Sequence, residues 1–302
     1  MKTYYKVFDH TIQSSNLALS LLSESPQDET SDIYISESDF RQWPSLPSGL
    51  VDTPFIQVLP NDLRIFVHGL LSMRIADGSI IQWSKDSSET ADEDISTLVL
   101  GSGLGAIFIQ RNYLVLHGNC IPKDGLAIAC LGSSGIGKST LAFSLLRHGW
   151  KLLSDDLVVI DSMGFAIPGL AQVKLWSDVA KHYHIPNSYL QELRSRVNKY
   201  SVKLEGSLIE SARTKVDRIY ILHNSQINNS PTYIHQNTQS SFESIKLVLE
   251  NLYRPRFYRG LKKEGPAMVR ICKLIESVQV NHLVVPYGLN NLDQSILEVC
   301  RR

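Results

Sequence analysis

The chain of 302 residues is long enough for one or two domains with a buried core. Hydrophobic residues make up 43% and charged residues 20%, which excludes disordered, collagen-like and coiled-coil classes. Thirty basic and thirty acidic residues leave no net charge, and no apolar run spans a bilayer, so we expect neither a nucleic acid nor a membrane partner. The N-terminal residues lack a signal pattern, and the four cysteines lack disulfide or zinc spacings, which predicts free thiols in a cytoplasmic protein.

The charges are divided unevenly along the chain. Residues 1–100 carry 6 basic and 15 acidic side chains, whereas residues 101–302 carry 24 basic and 15 acidic ones. Such an asymmetry predicts two units with different roles. The polar composition of residues 85–94 predicts a linker or a surface loop. We therefore expect an acidic domain over residues 1–94, which binds substrate or regulates, and a second domain over residues 95–302.

The N-terminal part is predicted to be built from short strands. Apolar and β-branched runs predict strands at Asp32–Ser36, Arg64–Val67, Leu71–Ile75 and Ile80–Trp83. The Ala-Asp-Gly-Ser sequence between the last two predicts a hairpin turn. Small and apolar residues at Ile95–Ile109 predict a helix.

From Leu114 onward the pattern is that of an α/β domain. Strands are predicted at Leu114–Leu116, Leu126–Leu131, Leu152–Ile160, Tyr200–Leu204, Arg218–Leu222, Thr232–His235 and His282–Val285. Helices are predicted at Lys138–His148, Ser177–Tyr183, Ser188–Val197, Phe242–Tyr253, Ala267–Val278 and Asn291–Cys300.

The segment between the second of these strands and the first helix matches the phosphate-binding motif G-x-x-x-x-G-K-S/T. Its residues, the candidate nucleotide ligands, are Gly132, Ser133, Ser134, Gly135, Ile136, Gly137, Lys138, Ser139 and Thr140. The glycines let successive N–H groups converge on phosphate oxygens at a helix N-terminus, Lys138 adds a cation, and the Ser139 hydroxyl can ligate Mg²⁺. The alternative is a glycine-rich turn with a surface lysine. The motif alone separates neither ATP from GTP nor a kinase from a motor or switch.

Two further features provide candidate chemistry. Asp155 and Asp156 are adjacent in an apolar strand, where carboxylates are unfavourable unless a metal or cation pairs with them. One could hold Mg²⁺ and the other could accept a proton from an attacking hydroxyl; the alternative is a turn or helix cap. His117 follows a predicted strand and could approach the phosphates, although a lone histidine there is more often structural.

Together, Leu-His-Gly (116–118), the loop 132–140 and Leu-Leu-Ser-Asp-Asp-Leu-Val (152–158) resemble the HPr kinase/phosphorylase superfamily. With Pro168, Gly169 and Lys-Leu-Trp (174–176), they look closer to the kinases of lasso-peptide biosynthesis, which phosphorylate the C-terminal serine of a precursor peptide. The resemblance implies a P-loop kinase domain related to phosphoenolpyruvate carboxykinase, preceded by a smaller, mainly β (α+β) domain. It also implies ATP and Mg²⁺ as cofactors, a peptide substrate and an oligomer.

The resemblance further implies roles for individual residues. Lys138 and Ser139 match the P-loop lysine and the magnesium ligand, and Asp155 matches the base that deprotonates the serine hydroxyl. Asp156 matches the carboxylate near the metal, and His117 matches the histidine beside the catalytic aspartate. The catalytic residues expected are therefore Asp155, His117 and Lys138, and the metal ligands Ser139 and Asp156.

The chain also departs from HPr kinases. Residues 165–170, Phe-Ala-Ile-Pro-Gly-Leu, lack the glutamate that those enzymes carry after the aspartate strand, which argues against HPr as substrate and against the reverse reaction. Three alternatives stay open: an HPr kinase, a kinase of a small hydroxyl compound such as free serine, and a nucleotide-binding regulatory protein without turnover.

Four more basic residues are candidate substrate or phosphate contacts. They are Lys174, Arg254, Arg256 and Arg259. The arginines suit phosphate or a peptide carboxylate, but a solvated basic turn is the simpler interpretation. One short basic and aromatic cluster in a neutral protein does not predict RNA binding.

Overall fold

The computed structural model describes residues 2–26, 30–45, 47–49, 51–192, 198–224, 233–235 and 240–285, together with Leu289, Leu292 and Ile296. Its strands are β1 Lys2–Val7, β2 His10–Ser15, β3 Ile33–Glu37, β4 Val51–Thr53, β5 Ile56–Leu59, β6 Asp62–Val67, β7 Leu71–Ala76, β8 Ile80–Lys85, β9 Leu114–Lys123, β10 Leu126–Leu131, β11 Ser154–Ile160, β12 Phe165–Ala166, β13 Gln172–Trp176, β14 Leu190–Glu192, β15 Lys199–Lys203, β16 Thr214–Asn224, β17 Tyr233–His235 and β18 Gln279–Val285. Its α-helices are α1 Asp92–Leu98, α2 Leu104–Gln110, α3 Lys138–Leu146, α4 Ser177–His182, α5 Ser241–Glu250, α6 Pro255–Gly260 and α7 Glu264–Ile275.

The chain divides into two compact units. The first unit comprises residues 1–115 and 253–269, and the second comprises residues 116–252 and 270–302. The division thus falls after Val115 rather than at residue 94, because the helices after residue 91 pack with the N-terminal strands. A Cβ on Gly103, between α1 and α2, would lie 3.1 Å from the Ile81 side chain of β8.

The first unit is built on an eight-stranded sheet with the order β1-β2-β3-β8-β7-β6-β5-β4. Strands β7 and β8 form the predicted hairpin, in which Asp77 and Gly78 both have positive φ, of 55° and 64°. Two consecutive positive values are the signature of the tight turn that matches the twist of paired strands. A π-helical turn, Val99–Gly103, joins α1 to α2, so the predicted helix 95–109 is helical throughout but not uniformly α.

The second unit contains a seven-stranded sheet with the order β10-β9-β11-β12-β16-β18-β17. Strand β10, which leads into the phosphate-binding loop, also pairs in parallel with β16 and antiparallel with β9. A separate antiparallel sheet has the order β13-β15-β14. The predicted fold class, an α/β domain with a P-loop after a mainly β N-terminal part, is confirmed.

Helix α3 is the centre of the second unit's core. Its Leu141, Ala142 and Leu145 are buried among side chains of β9, β10, β16 and β18. Its Leu146 belongs to another apolar cluster, formed with side chains of β13, β15 and α4. Helix α3 is therefore apolar on more than one side, and burial against both sheets fixes the helix whose first residue is Lys138.

Several local predictions were wrong in extent or type. Strand β9 does not end at Leu116 but continues through His117 to Lys123, because Gly118 allows a close approach to β10: a Cβ there would overlap with the Cys130 carbonyl oxygen. At the start of the predicted helix 188–197, residues 187–189 form a 3-10 turn and Leu190–Glu192 form β14, because pairing with β15 overrides the helical spacing; residues 193–197 lie outside the described residues. Strands β1, β2, β4, β5, β12 and β13 were not predicted.

Other predictions are met or fall outside the described part of the chain. Cys120, Cys130 and Cys272 are free thiols, and the first two are buried in β9 and β10 as expected. The predicted helix 291–300 and Cys300 lie outside the described residues, apart from Leu292 and Ile296. Among described residues, no helix is both long and apolar enough to cross a membrane.

Candidate active site

The phosphate-binding loop lies between β10 and α3, as the motif requires. The loop residues Gly132, Gly135 and Gly137 all have positive φ, with Gly137 at 103° immediately before α3 begins at Lys138. Open space surrounds the position that a Cβ would occupy on Gly135 and on Gly137. The backbone conformation, rather than crowding, therefore demands glycine at these two positions, and the loop backbone is accessible to a ligand.

The loop lysine is folded back over the loop itself. Lys138 Nζ donates to the carbonyl oxygens of Gly132, at 2.7 Å, and Ser133, at 3.0 Å. Burial lowers the pKa of Lys138, although the nearby carboxylates of Asp155 and Asp156 act in the opposite direction. The ammonium is therefore held at the loop, where it can interact with phosphate oxygens.

The two aspartates occupy the second and third residues of β11, at its N-terminal end. Side chains of adjacent strand residues normally point to opposite faces of a sheet. Asp156, however, has a φ of 73°, so the alternation is interrupted at this residue. Both carboxylates consequently contact the same residue, Lys174 of β13.

Asp155 is a buried carboxylate with two hydrogen-bond donors. Its Oδ1 accepts from the Ser139 hydroxyl at 3.2 Å, and its Oδ2 accepts from the Lys174 backbone N–H at 3.1 Å. Only 5% of the residue is exposed. Burial, and then the neighbouring charge of Asp156, raise the pKa of Asp155 above its ordinary value, and the two hydrogen bonds oppose this only in part.

Asp156 has the opposite electrostatic character. Its Oδ2 lies 2.7 Å from Lys174 Nζ, and its Oδ1 lies 3.4 Å from His117 Nδ1. Burial alone would raise its pKa, but the charge and hydrogen bond of Lys174, with smaller contributions from His117 and Lys199, lower the pKa of Asp156 to about 2. Asp156 is therefore ionised at neutral pH.

The histidine contacts Asp156 rather than Asp155. His117 Nδ1 lies 3.3 Å from the Asp156 carbonyl oxygen as well as near its carboxylate. Burial lowers the pKa of His117 more than Asp156 raises it, so the ring is neutral at pH 7. The resemblance implied the reverse arrangement, with His117 beside Asp155 and with Asp156 near Ser139. The interrupted strand accounts for the difference, because it directs the Asp156 side chain toward His117 and Lys174.

Two residues near this site were not among the sequence candidates. Asn119 of β9 is fully buried and donates from Nδ2 to the Lys138 carbonyl oxygen at 2.7 Å, which connects β9 to the first residue of α3. Lys199 of β15 influences the pKa values of both Lys138 and Asp156. Asn119 could have been identified from the sequence, because it is a polar residue inside an apolar strand. Lys199 could not, because it comes near the site only through the pairing of β15 with β13.

Lys174, by contrast, was a sequence candidate and lies within the cluster. The three candidate arginines belong to the first unit. Arg254 stacks on the rings of Tyr253 and Phe257 at 5.4 and 5.6 Å, and Arg259 lies 3.9 Å from Glu264. Contacts of Arg254, Arg256 and Arg259 with phosphate or substrate stay a prediction.

The residues around Ser139 suit a magnesium ion bound together with nucleotide phosphates. Ser139 and Asp155 present a hydroxyl and a carboxylate oxygen 3.2 Å apart, which is the hard oxygen chemistry that Mg²⁺ prefers. No group of three or more His, Cys, Asp or Glu side chains able to hold a metal occurs among the described residues. Few protein ligands are expected here, because Mg²⁺ is commonly bound through one or two protein groups, phosphates and water.

Comparison with known proteins finds similarity to HPr kinase/phosphorylases. The chain is 29% identical to the HPr kinase/phosphorylase of Caldanaerobacter subterraneus subsp. tengcongensis over 132 residues, which are 38% of this chain and 43% of that protein. It is 31% identical to the HPr kinase/phosphorylase of a Thermoanaerobacter species over 132 residues, covering 38% of this chain and 42% of that relative. The similarity therefore spans less than half the length of these curated relatives.

A solved structure is also matched. The HPr(Ser) kinase/phosphatase from Coxiella burnetii has 13% sequence identity and a TM-score of 0.26, with 62% of this chain and 93% of that chain covered. No protein-family model matches the chain. The sequence similarity, together with the loop and aspartate geometry, provides the basis for assigning a function.

Proposed function

We propose that the chain is an ATP-dependent kinase that transfers the γ-phosphoryl group to a serine hydroxyl. The observation that carries this proposal is the Ser139–Asp155 contact of 3.2 Å, which joins the phosphate-binding loop to a buried carboxylate with a raised pKa. A phosphate cradle alone suits any nucleotide-binding protein. A proton acceptor beside it is what transfer to an alcohol requires.

The loop and α3 hold the nucleotide phosphates. The backbone N–H groups at the start of α3 and the Lys138 ammonium bind the β- and γ-phosphates. To do so, Lys138 replaces its hydrogen bonds to the Gly132 and Ser133 carbonyl oxygens with bonds to phosphate oxygens. The Ser139 hydroxyl, together with phosphate oxygens and water, would hold Mg²⁺, which would neutralise phosphate charge when bound. Asp156, expected from the resemblance to be a metal ligand, contacts Lys174 and His117, and its ligation of the metal stays a prediction.

Asp155 then acts as the base. Its raised pKa makes it the better proton acceptor of the two aspartates, because a carboxylate with a pKa of about 2, such as Asp156, binds a proton weakly. The serine hydroxyl gives its proton to Asp155 as its oxygen bonds to the γ-phosphorus. The bond between that phosphorus and the β–γ bridging oxygen breaks, and ADP leaves with the electron pair.

Asp156, His117 and Lys174 support this arrangement. The Lys174 N–H orients one oxygen of Asp155, while its ammonium neutralises Asp156. His117, which is neutral, donates from Nδ1 toward Asp156 and so places a lone pair on Nε2. We assign His117 and Asp156 as positioning residues and Asp155 and Lys138 as catalytic residues.

The acceptor that we propose is the C-terminal serine of a lasso-precursor-like peptide. This proposal depends on the residue resemblance around Lys174 and on the missing acid in residues 165–170. HPr is the second candidate, favoured by the names of the relatives, and free serine is a third. A regulatory role for the acidic N-terminal residues and an oligomeric assembly stay predictions.

The test is mass spectrometry of an acceptor panel after incubation with the protein, ATP and Mg²⁺. The panel contains a precursor-like peptide ending in serine, the same peptide ending in alanine, HPr and free serine. We expect the serine-ended peptide alone to gain a phosphoryl group. Gain on HPr or free serine would keep the mechanism and overturn the acceptor. Bound ATP with no transfer to any acceptor would overturn the kinase proposal in favour of a regulatory protein.

A further inference from the structure

A cavity of about 270 Å³ lies beside the second half of the phosphate-binding loop. Gly135, Gly137 and Thr140 line it on the loop side. Trp176 and Asp178 also line it, at the junction of β13 and α4, as does Asn224 at the end of β16. All of these residues belong to the second unit. A group attached to phosphates bound at the loop could therefore occupy this cavity.

The side chains around the cavity match the polar edges of a nucleoside. The Asp178 carboxylate can accept hydrogen bonds from the two hydroxyls of a ribose. The Asn224 amide has both donors and an acceptor, which suits the mixed edge of a nucleobase. Val179, Val285 and Leu289 provide apolar surface nearby. A mostly apolar cavity with a few polar groups is typical of small-molecule sites.

Trp176 is the most informative residue of the cavity. It is 46% exposed, whereas the other three tryptophans, Trp43, Trp83 and Trp150, are 8%, 1% and 5% exposed. The Lys199 ammonium lies 5.5 Å from its ring centroid, a cation–π contact that restrains the indole. A large aromatic surface left in water beside a phosphate loop suits stacking against a planar base.

The strand that carries Trp176 also explains its position. Lys174 and Trp176 are two residues apart on β13 and so lie on the same face. Lys174 contacts the two aspartates, and Trp176 lines the cavity. One strand face thus provides a residue to the reacting end of the site and another to the cavity.

We propose that this cavity binds the purine nucleoside of the nucleotide, with Trp176 stacked on the base and Asp178 accepting from the ribose hydroxyls. The inference depends on the proposed function only in that the loop binds a nucleotide. The phosphate-binding motif specifies contacts to the phosphates alone, and this inference adds the residues that contact the base and the ribose.

The test compares the affinity of ATP with that of inorganic tripolyphosphate, both with Mg²⁺, by calorimetry. In Trp176→Ala we expect ATP to bind about ten-fold more weakly and tripolyphosphate to bind unchanged. Tyr189→Ala is the matched control, because Tyr189 is 59% exposed in the same unit and does not line the cavity. We expect that control to bind both ligands as the unaltered chain does.

Tryptophan fluorescence gives an independent readout. ATP should quench the red-shifted emission of the exposed Trp176 in the unaltered chain, and tripolyphosphate should not. Equal ATP affinity in Trp176→Ala, a parallel loss of tripolyphosphate affinity, or UTP binding as tightly as ATP would each overturn the assignment. Base-dependent binding without phosphoryl transfer would leave the assignment intact and overturn the kinase proposal, so the two failures are distinguishable.

Discussion

Lys174 contacts both aspartates of β11 through different atoms: its Nζ lies 2.7 Å from Asp156 Oδ2, and its backbone N–H donates to Asp155 Oδ2 at 3.1 Å. The ammonium thus forms an ion pair with Asp156, whereas Asp155 accepts a hydrogen bond from the uncharged backbone N–H. Lys174 lowers the pKa of Asp156 to about 2, whereas burial and the charge of Asp156 raise the pKa of Asp155 despite the Lys174 N–H. Paired carboxylates with separated pKa values are a common way to assign different tasks to identical groups.

Removal of the Lys174 ammonium should destabilise the second unit. In Lys174→Met, Asp156 keeps its charge but loses the ion pair, so we expect the free energy of unfolding to fall by about 2 kcal/mol at pH 7. Urea denaturation measures this change. Lys203→Met is the control, because Lys203 is an exposed residue of the neighbouring β15, and it should change the free energy by less than about 0.5 kcal/mol. Equal values for the two variants would contradict the account.

The pH dependence of stability should reveal the ion pair directly. The folded pKa of Asp156, about 2, lies below its unfolded value, so its contribution is complete above about pH 4 and is lost as the pH falls toward 2. Because the pKa of Asp155 is raised, its contribution to the unfolding free energy changes with pH in the opposite direction. We therefore compare Asp155→Asn with the double variant Asp155→Asn/Asp156→Asn, in which only Asp156 differs.

Between pH 5 and pH 2 we expect the unfolding free energy of the single variant to fall by about 2 kcal/mol relative to the double variant. The measurement is denaturant unfolding at four or five pH values. A constant difference between the two variants over this range would show that Asp156 has an ordinary pKa.

Gly118 should tolerate no side chain. In Gly118→Ala, the new Cβ would overlap with the Cys130 carbonyl oxygen and would lie 2.5 Å from Leu131 Cδ2. Because both are residues of β10 just before the phosphate-binding loop, we expect a loss of about 3 kcal/mol in stability and weaker nucleotide binding. Gly265→Ala is the matched control, since a Cβ at Gly265 in α7 would meet no atom within 4 Å. A wild-type melting temperature for Gly118→Ala would refute the packing argument.

The rate of phosphoryl transfer should fall in acid with the titration of Asp155. The base must be ionised, so kcat should decline as the pH drops through the pKa of Asp155, with a midpoint above the ordinary carboxylate value of about 4. The same decline should persist in His117→Gln, because His117 is not the proton acceptor. Its disappearance in that variant would assign the titration to His117. Circular dichroism at each pH confirms that the protein is folded.

The sequence predicted the parts of the site that depend on local pattern. Glycine spacing predicted the phosphate-binding loop, and the buried stripe at Leu141, Ala142, Leu145 and Leu146 predicted the helix that follows it. The aspartate pair was also visible, because charges are rare in apolar strands. These features are local, so neighbouring residues along the chain determine them.

What the sequence did not predict depends on contacts between distant segments. The positive φ of Asp156 directs this aspartate to His117 and Lys174, and no residue pattern indicates that conformation. Lys199 comes near the site because β15 pairs with β13, and Leu190–Glu192 form a strand rather than the predicted helix because β14 joins the same sheet. Long-range pairing decided these points, and single-sequence periodicity does not contain it.

The most direct test of the account is phosphoryl transfer by Asp155→Asn, measured on the serine acceptor identified in the panel, with ATP affinity determined in parallel. We expect transfer to fall at least about a hundred-fold, because the hydroxyl loses its proton acceptor, while ATP affinity stays within about three-fold, because the loop amides and Lys138 are unchanged. Asp155→Asn that transfers phosphate at the wild-type rate with ATP bound would contradict the central claim that Asp155 is the base.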